Sequence, residues 1–154
     1  MLLHLHSNES YPVSFLLLQP YDVRAMSHWD EAFDWSVYFG KPRIEAYKMV
    51  VTGNDEIQGA IALERRHDHV YIHLIESAPH NRRIDKVFDY IGEHLIAFGC
   101  KRSMDLGQDG FVAFQAKTKL ISYYERNMQA QHIRNGYMII SDTVAKRLIM
   151  LYLT

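Results

Sequence analysis

One cysteine and four prolines in 154 residues leave this chain without an internal disulfide and without a proline-rich linker. Cys100 cannot pair within the chain, so the core must hold the fold, and a reducing, cytoplasmic setting is the expectation. Charge of one sign is lacking as well: 17 Lys and Arg stand against 18 Asp and Glu, a formal net charge of −1. So weak a field disfavours non-specific polyanion binding and leaves nucleic acid as a secondary candidate, carried only by a local patch of Lys101, Arg102, Lys117 and Lys119. Long apolar runs are missing too. The run Phe15-Leu16-Leu17-Leu18 is far shorter than the roughly 20 residues a membrane span needs, and MLLHLHSNES has no positively charged leader, so neither export nor insertion is expected. With no repeat, low-complexity tract or flexible linker, and with 48% hydrophobic residues, one domain over 1–154 with one sizeable core is the simplest organisation.

What is present alternates between two periods. Val13 to Gln19 is an apolar run closed by Pro20 and predicts a strand; Asp22 to Phe39 carries Trp29, Phe33, Trp35, Val37 and Tyr38 and predicts one or two short helices ending at Gly40-Lys41-Pro42. Ile44 to Thr52 and Ile57 to Arg66 flank Gly53-Asn54-Asp55-Glu56 as an antiparallel hairpin, followed by a strand from Val70 to Ser77 that Ala78-Pro79 ends. Val87 to Leu106 sets Phe88, Ile91, Leu95 and Phe98 at helical spacing, with Gly107 as its stop. A short strand from Phe111 to Ala116 enters a helix from Lys117 to Met128. Asn135-Gly136 then turns a hairpin between Gln131–Arg134 and Tyr137–Ser141, and Asp142 opens a closing helix to about Leu153. These elements make an α/β chain whose mixed sheet has helices on its faces. Within it, a helix that opens after a strand and the basic loop around Arg82 and Arg83 offers free N–H groups to a phosphate-bearing ligand.

Other chemistry-bearing residues have plainer readings. His67, His69 and His73 lie on one side of an extended segment, but strand neighbours two apart stand roughly 7 Å from each other, too far for an easy zinc site. Cys100 sits in an apolar helix as a small core residue. Trp29, Trp35, Tyr38 and Phe39 read as core or as the wall of an acceptor pocket.

The order of elements, the segment HLIESAPHNRR leading to DYIGEHLIAFGCKRS, the segment GFVAFQAKTKLISYYERN and the NG hairpin after it resemble the GNAT superfamily of N-acetyltransferases, well over residues 44 to 154 and loosely before. The resemblance implies a mostly antiparallel sheet with helices on both faces. It also implies acetyl-CoA as acyl donor, no metal, and direct attack by a primary amine borne on a small molecule or a protein. The pantetheine arm of the donor would run along Leu74, Ile75, Glu76 and Ser77, the diphosphate would meet Arg82, Arg83, Gly92, Glu93 and His94, and Lys117 and Thr118 would touch the arm from the next helix. Tyr124 matches the tyrosine that protonates the leaving thiolate, and Glu76 is the candidate base for the attacking amine. A homodimer is common among similar proteins.

Departures from the family pattern bear on the phosphate end. Its loop usually reads R/Q-x-x-G-x-G/A, whereas here IDKVFDYI separates Arg83 from Gly92, and Tyr90 and Glu93 stand where related loops tend to have glycine. Met128-Gln129 also replaces a glycine common after the tyrosine. These departures motivate a second reading, a catalytically silent GNAT-fold binding or regulatory module.

Overall fold

The computed structural model describes residues 1–82 and 84–154. A seven-stranded sheet forms the frame, in the order β3-β4-β5-β6-β8-β10-β9: β3 (Val13–Leu17), β4 (Ile44–Val51), β5 (Ile57–Arg65), β6 (Val70–Ser77), β8 (Val112–Gln115), β9 (Gln131–Arg134) and β10 (Tyr137–Ile140). All neighbours are antiparallel except β6 and β8, which run parallel because the 15-residue helix α2 (Ile91–Asp105) crosses between them. The mixed sheet expected from the sequence is therefore present.

Each face is covered by a different set of elements. Helices α2 and α4 (Asp142–Tyr152) pack on one face over Met49, Ile61, Leu63, Ile72 and Phe114, and α3 (Ile121–Met128) joins them through Tyr124 and Met128. Gly99 lets α2 approach closely, since a Cβ there would meet Ile72 at 3.3 Å. The opposite face is covered by α1 (Pro20–Ala25) and a 3₁₀ turn at Trp35–Tyr38, which set Met26, Trp29 and Trp35 against Ala46, Ala60, Ala62 and Ala78. Two indoles fit there because the strands beneath carry only methyl groups. A lock of three hydrogen bonds and an ion pair joins the layers: the Arg102 guanidinium donates to both carboxylate oxygens of Glu45 at 2.8 and 2.9 Å, the Tyr47 phenol donates to the same carboxylate, and Arg65 lies 3.3 Å from it.

The structure departs from the sequence reading mainly at the ends of its elements. The helix expected from Val87 begins only at Ile91; Phe88–Asp89 instead forms strand β7, paired with β1 (Leu2–His4), which also pairs with β2 (Ser10–Tyr11). Phe88 satisfies the helical spacing, but an edge-on cluster with His4 and Tyr11 draws it into this second sheet. Of the one or two short helices expected over Asp22 to Phe39, the structure has α1 and the 3₁₀ turn, with irregular chain between them whose aromatics point to one core. The helix expected from Lys117 starts as a 3₁₀ turn at Thr118–Leu120 and becomes α only at Ile121. Gln129 ends α3 in the left-handed conformation at φ 53°, where glycine is the usual residue.

Candidate functional site

The parallel ladder between β6 and β8 is short. It pairs Val70, Tyr71 and Ile72 with Val112, Ala113 and Phe114 and then stops, while β6 continues to Ser77. Beyond Ile72 the ladder ends, and among the described residues that edge of β6 has no strand partner. Which groups face that opening follows from the other side of the strand. Ala78 N–H donates to the Gln58 carbonyl at 3.0 Å, so antiparallel alternation turns the amides of Glu76 and Leu74 towards β5 and those of Ile75 and Ser77 towards the gap. Of the four strand residues expected to meet a pantetheine arm, Ile75 and Ser77 thus present their main chains. Leu74 and Glu76 direct theirs to β5 and their side chains to the Trp29 and Trp35 layer.

Glu76 is held fast. Its side chain is nearly fully buried; Oε1 accepts from Trp35 Nε1 at 2.7 Å, Oε2 accepts from the Asp30 amide at 3.0 Å, and Arg82 Nη1 lies 3.8 Å from Oε2. Both oxygens therefore already pin the segment 30–35 to the end of β6. Sequence reasoning gave Glu76 a proton-transfer role and missed this clamp; the signal for it was the pairing of a bulky aromatic segment with the small-residue run Gly59-Ala60-Ile61-Ala62.

Above the gap stands Tyr124. Its ring packs edge-on against Phe114 with centroids 4.9 Å apart, and Phe114 is the residue opposite Ile72 where the ladder ends. The phenol ring is thus beside the point where the ladder ends. Burial, and then the nearby Glu93 carboxylate, raise its pKa, so it stays protonated at neutral pH. Lys117 and Thr118, at the start of the 3₁₀ turn before α3, are exposed.

The start of α2 lies close to the end of β6: a Cβ on Gly59, the partner of Ser77, would meet Ile91 at 2.8 Å and the Glu76 carbonyl at 3.2 Å. Tyr90 precedes the helix in the left-handed conformation, φ 64° and ψ 30°, and its side chain makes no cap. A left-handed residue followed by helical ones turns successive N–H groups to one concavity, the arrangement that receives anions. Gly92 leaves that concavity open, since a Cβ on it would meet nothing within 4 Å. The amides of Tyr90 and His94 are already taken, by Asp89 Oδ1 at 2.9 Å and the Tyr90 carbonyl at 3.1 Å. His94 is buried with Nδ1 2.7 Å from the Tyr90 carbonyl and its ring against Tyr152, and burial lowers its pKa; it braces the turn and does not reach out of it.

Carboxylates crowd the same end. Glu93 is buried near the Tyr123 phenol of α3, and burial raises its pKa. The two described cations of the preceding loop are turned to carboxylates: Lys86 to Asp89 at 2.9 Å and Arg82 to Glu76. Arg83, expected at the diphosphate, lies outside the described residues. The loop itself is pinned by Asn81, whose Nδ2 donates to the Gln58 carbonyl and side chain and whose Oδ1 accepts from the Phe88 amide, a hub that no motif announced.

These residues fit the two ends of an acyl-CoA unequally. The edge amides of Ile75 and Ser77 suit the amide-bearing pantetheine arm, and Tyr124 suits its thiol end. The N–H groups opening α2 suit a phosphate, with Glu93 set against it.

Other chemistry lies elsewhere. A cleft of about 580 Å³ lined by Asp68, Gln108, Phe111 and Tyr137 sits at the opposite ends of β6 and β8, where the ladder is closed and offers no free edge. His73 pairs with Glu64 and His69 with Asp68, and among the described residues no three metal-ligating side chains converge. Cys100 is fully buried with its thiol pKa pushed up to about 12, too high for a nucleophile. Among the described residues no helix is long and apolar enough to cross a membrane.

In sequence comparison the chain matches no family model and no curated protein. Solved structures give the likeness. A probable GNAT-family acetyltransferase from Chromobacterium violaceum is similar at a TM-score of 0.66 and 12% identity, over 90% of this chain and 87% of that one. A Bacillus subtilis acetyltransferase in complex with CoA is similar at 0.55 and 14% identity, over 84% of this chain and 95% of that one. The ribosomal-protein-S18-alanine N-acetyltransferase of Escherichia coli is similar at 0.53 and 15% identity, over 82% and 88%. What these comparisons establish is the architecture: this chain has the fold of the GNAT acetyltransferases.

Proposed function

We propose that the chain is a GNAT superfamily N-acetyltransferase that binds acetyl-CoA in the gap between β6 and β8 and transfers the acetyl group to a primary amine by direct attack. The observation that carries this reading is the unpaired pair of main-chain groups at Ile75 and Ser77, in the middle of an otherwise closed sheet and beside the uncapped start of α2. Buried backbone donors and acceptors are costly to leave without partners, so an extended ligand with amides of its own is the natural occupant. The fold relative from Bacillus subtilis holds CoA, which supports that choice of ligand. The lone buried cysteine fits a cytoplasmic protein.

The thioester supplies the acyl group. The Ile75 and Ser77 amides hold the arm and donate to the carbonyl oxygen as it gains charge. Tyr124, kept protonated by burial, gives its proton to the leaving thiolate. Glu76 takes part by fixing the Trp35 segment beside the reacting centre; the amine's proton then leaves through water. A small amine or a protein amine remains the acceptor class.

Acetyl-CoA titration tests this. A ligand at a hundred times its dissociation constant stabilises the folded chain by about 2.7 kcal/mol, and thiol release should follow when amines are added. One observation favours the second reading, a silent binding module: the Glu93 carboxylate at the phosphate end. Absence of any shift at millimolar acetyl-CoA would select it.

A further inference from the structure

The first turn of α2 is built against a dianion. Glu93 is 8% exposed, so its side chain is buried at the start of the helix, on the side where α3 brings the Tyr123 phenol near it. Asp89 stands at the same helix start, with Oδ1 on the Tyr90 amide. Tyr90, held in the left-handed conformation with its ring beside Tyr152, adds bulk where the backbone must approach a ligand closely. Lys86, the described cation nearest in sequence, is already neutralised by Asp89. By contrast the β6 edge at Ile75 and Ser77 presents main-chain groups beyond the end of the ladder with β8.

Resting on the functional reading above, we propose that Glu93 determines donor specificity: the site takes a thioester on a pantetheine arm through the β6 edge, and a diphosphate at the far end adds nothing to its binding. Free pantetheine thioesters and a phosphopantetheine carried on a protein share this chemistry. A donor with one phosphodiester or none meets less repulsion at Glu93 and Asp89 than one with the diphosphate of CoA. The residue acts through ground-state binding of the far end and touches no reacting atom.

Calorimetric titration of the full chain with three probes, pantetheine, 4′-phosphopantetheine and CoA, tests the proposal, with Glu93→Gln as the variant. The expected result is that pantetheine and CoA bind the wild type within about threefold of each other. Glu93→Gln should then tighten CoA about tenfold or more while leaving pantetheine unchanged. Phosphopantetheine, whose terminal monoester carries up to two charges near neutral pH, should bind no more tightly than pantetheine, and a preference for it of more than about tenfold would overturn the inference. CoA binding to the wild type more than tenfold tighter than pantetheine would overturn it, whether or not the variant folds. If none of the probes binds either protein, the acetyltransferase reading fails and the inference falls with it, an outcome distinct from tight CoA binding.

Discussion

Replacing Glu76 by Gln tests whether this carboxylate is a clamp. The side chain keeps its shape but exchanges one acceptor oxygen for an NH₂, which must face either the Trp35 indole N–H or the Asp30 amide, both donors. One charge-assisted bond is lost, about 1.5–3 kcal/mol, and one buried donor is left facing another, at a further cost of about 1 kcal/mol or more. The sum is about 2–4 kcal/mol. For a domain of this size a kcal/mol lowers the melting temperature by roughly 2–4 °C, so a fall of about 4–16 °C is expected. Scanning calorimetry gives the number, and tryptophan fluorescence reports the release of Trp35. Trp35→Phe should cost a similar amount, and the double variant should cost less than the sum, because each single change leaves the other's partner stranded. A Glu76→Gln protein that melts within about 1 °C of the wild type, with unchanged fluorescence, would refute the clamp. Turnover lost in Glu76→Gln well below its melting point but kept in Trp35→Phe would restore Glu76 as the base.

Three further outcomes follow from particular contacts. Gly59→Ala places a Cβ 2.8 Å from Ile91 Cγ2 and 3.2 Å from Leu95 Cδ1 and the Glu76 carbonyl, pushing the start of α2 off the sheet; melting should show a loss of about 1–3 kcal/mol together with weaker CoA binding. Tyr124→Phe should lower turnover, measured by thiol release, with CoA affinity within about twofold of the wild type; full activity would remove Tyr124 from acid catalysis. His94 has a folded pKa below its ordinary value, so from about pH 6.5 downwards the unfolded chain binds a proton that the folded one refuses. The melting-temperature gap between the wild type and His94→Gln should therefore narrow as the pH falls from about 7.5 to 5.5, and a gap independent of pH would contradict the assignment.

Much of the frame was legible because local chemistry and tertiary contacts agree. The strand Val70–Ser77 and the Asn135-Gly136 hairpin follow from alternation and turn residues, and both are found where the pattern puts them. The start of α2 was misread because Val87 to Asp89 obeys the helical period; only the N-terminal strand, distant in sequence, decides that Phe88 pairs instead. The site was legible in part. Periodicity named the segment around Glu76, but which amides face the gap depends on the register with β5, which shifts between Ala62 and Leu63. The partners of Glu76 and Glu93, namely Trp35, Asp30 and Tyr123, come from elements separated along the chain, so no local motif could announce them.

The most direct measurement is amide NMR of the isotope-labelled chain during a titration with acetyl-CoA and with S-acetylpantetheine. The account predicts that the Ile75 and Ser77 amide resonances shift with both ligands and become slow to exchange with solvent, while those of Leu74 and Glu76, already bonded to β5, move little. Saturating ligand that leaves Ile75 and Ser77 untouched, or that shifts only residues around Gln108 and Tyr137 at the other end of the sheet, would contradict it.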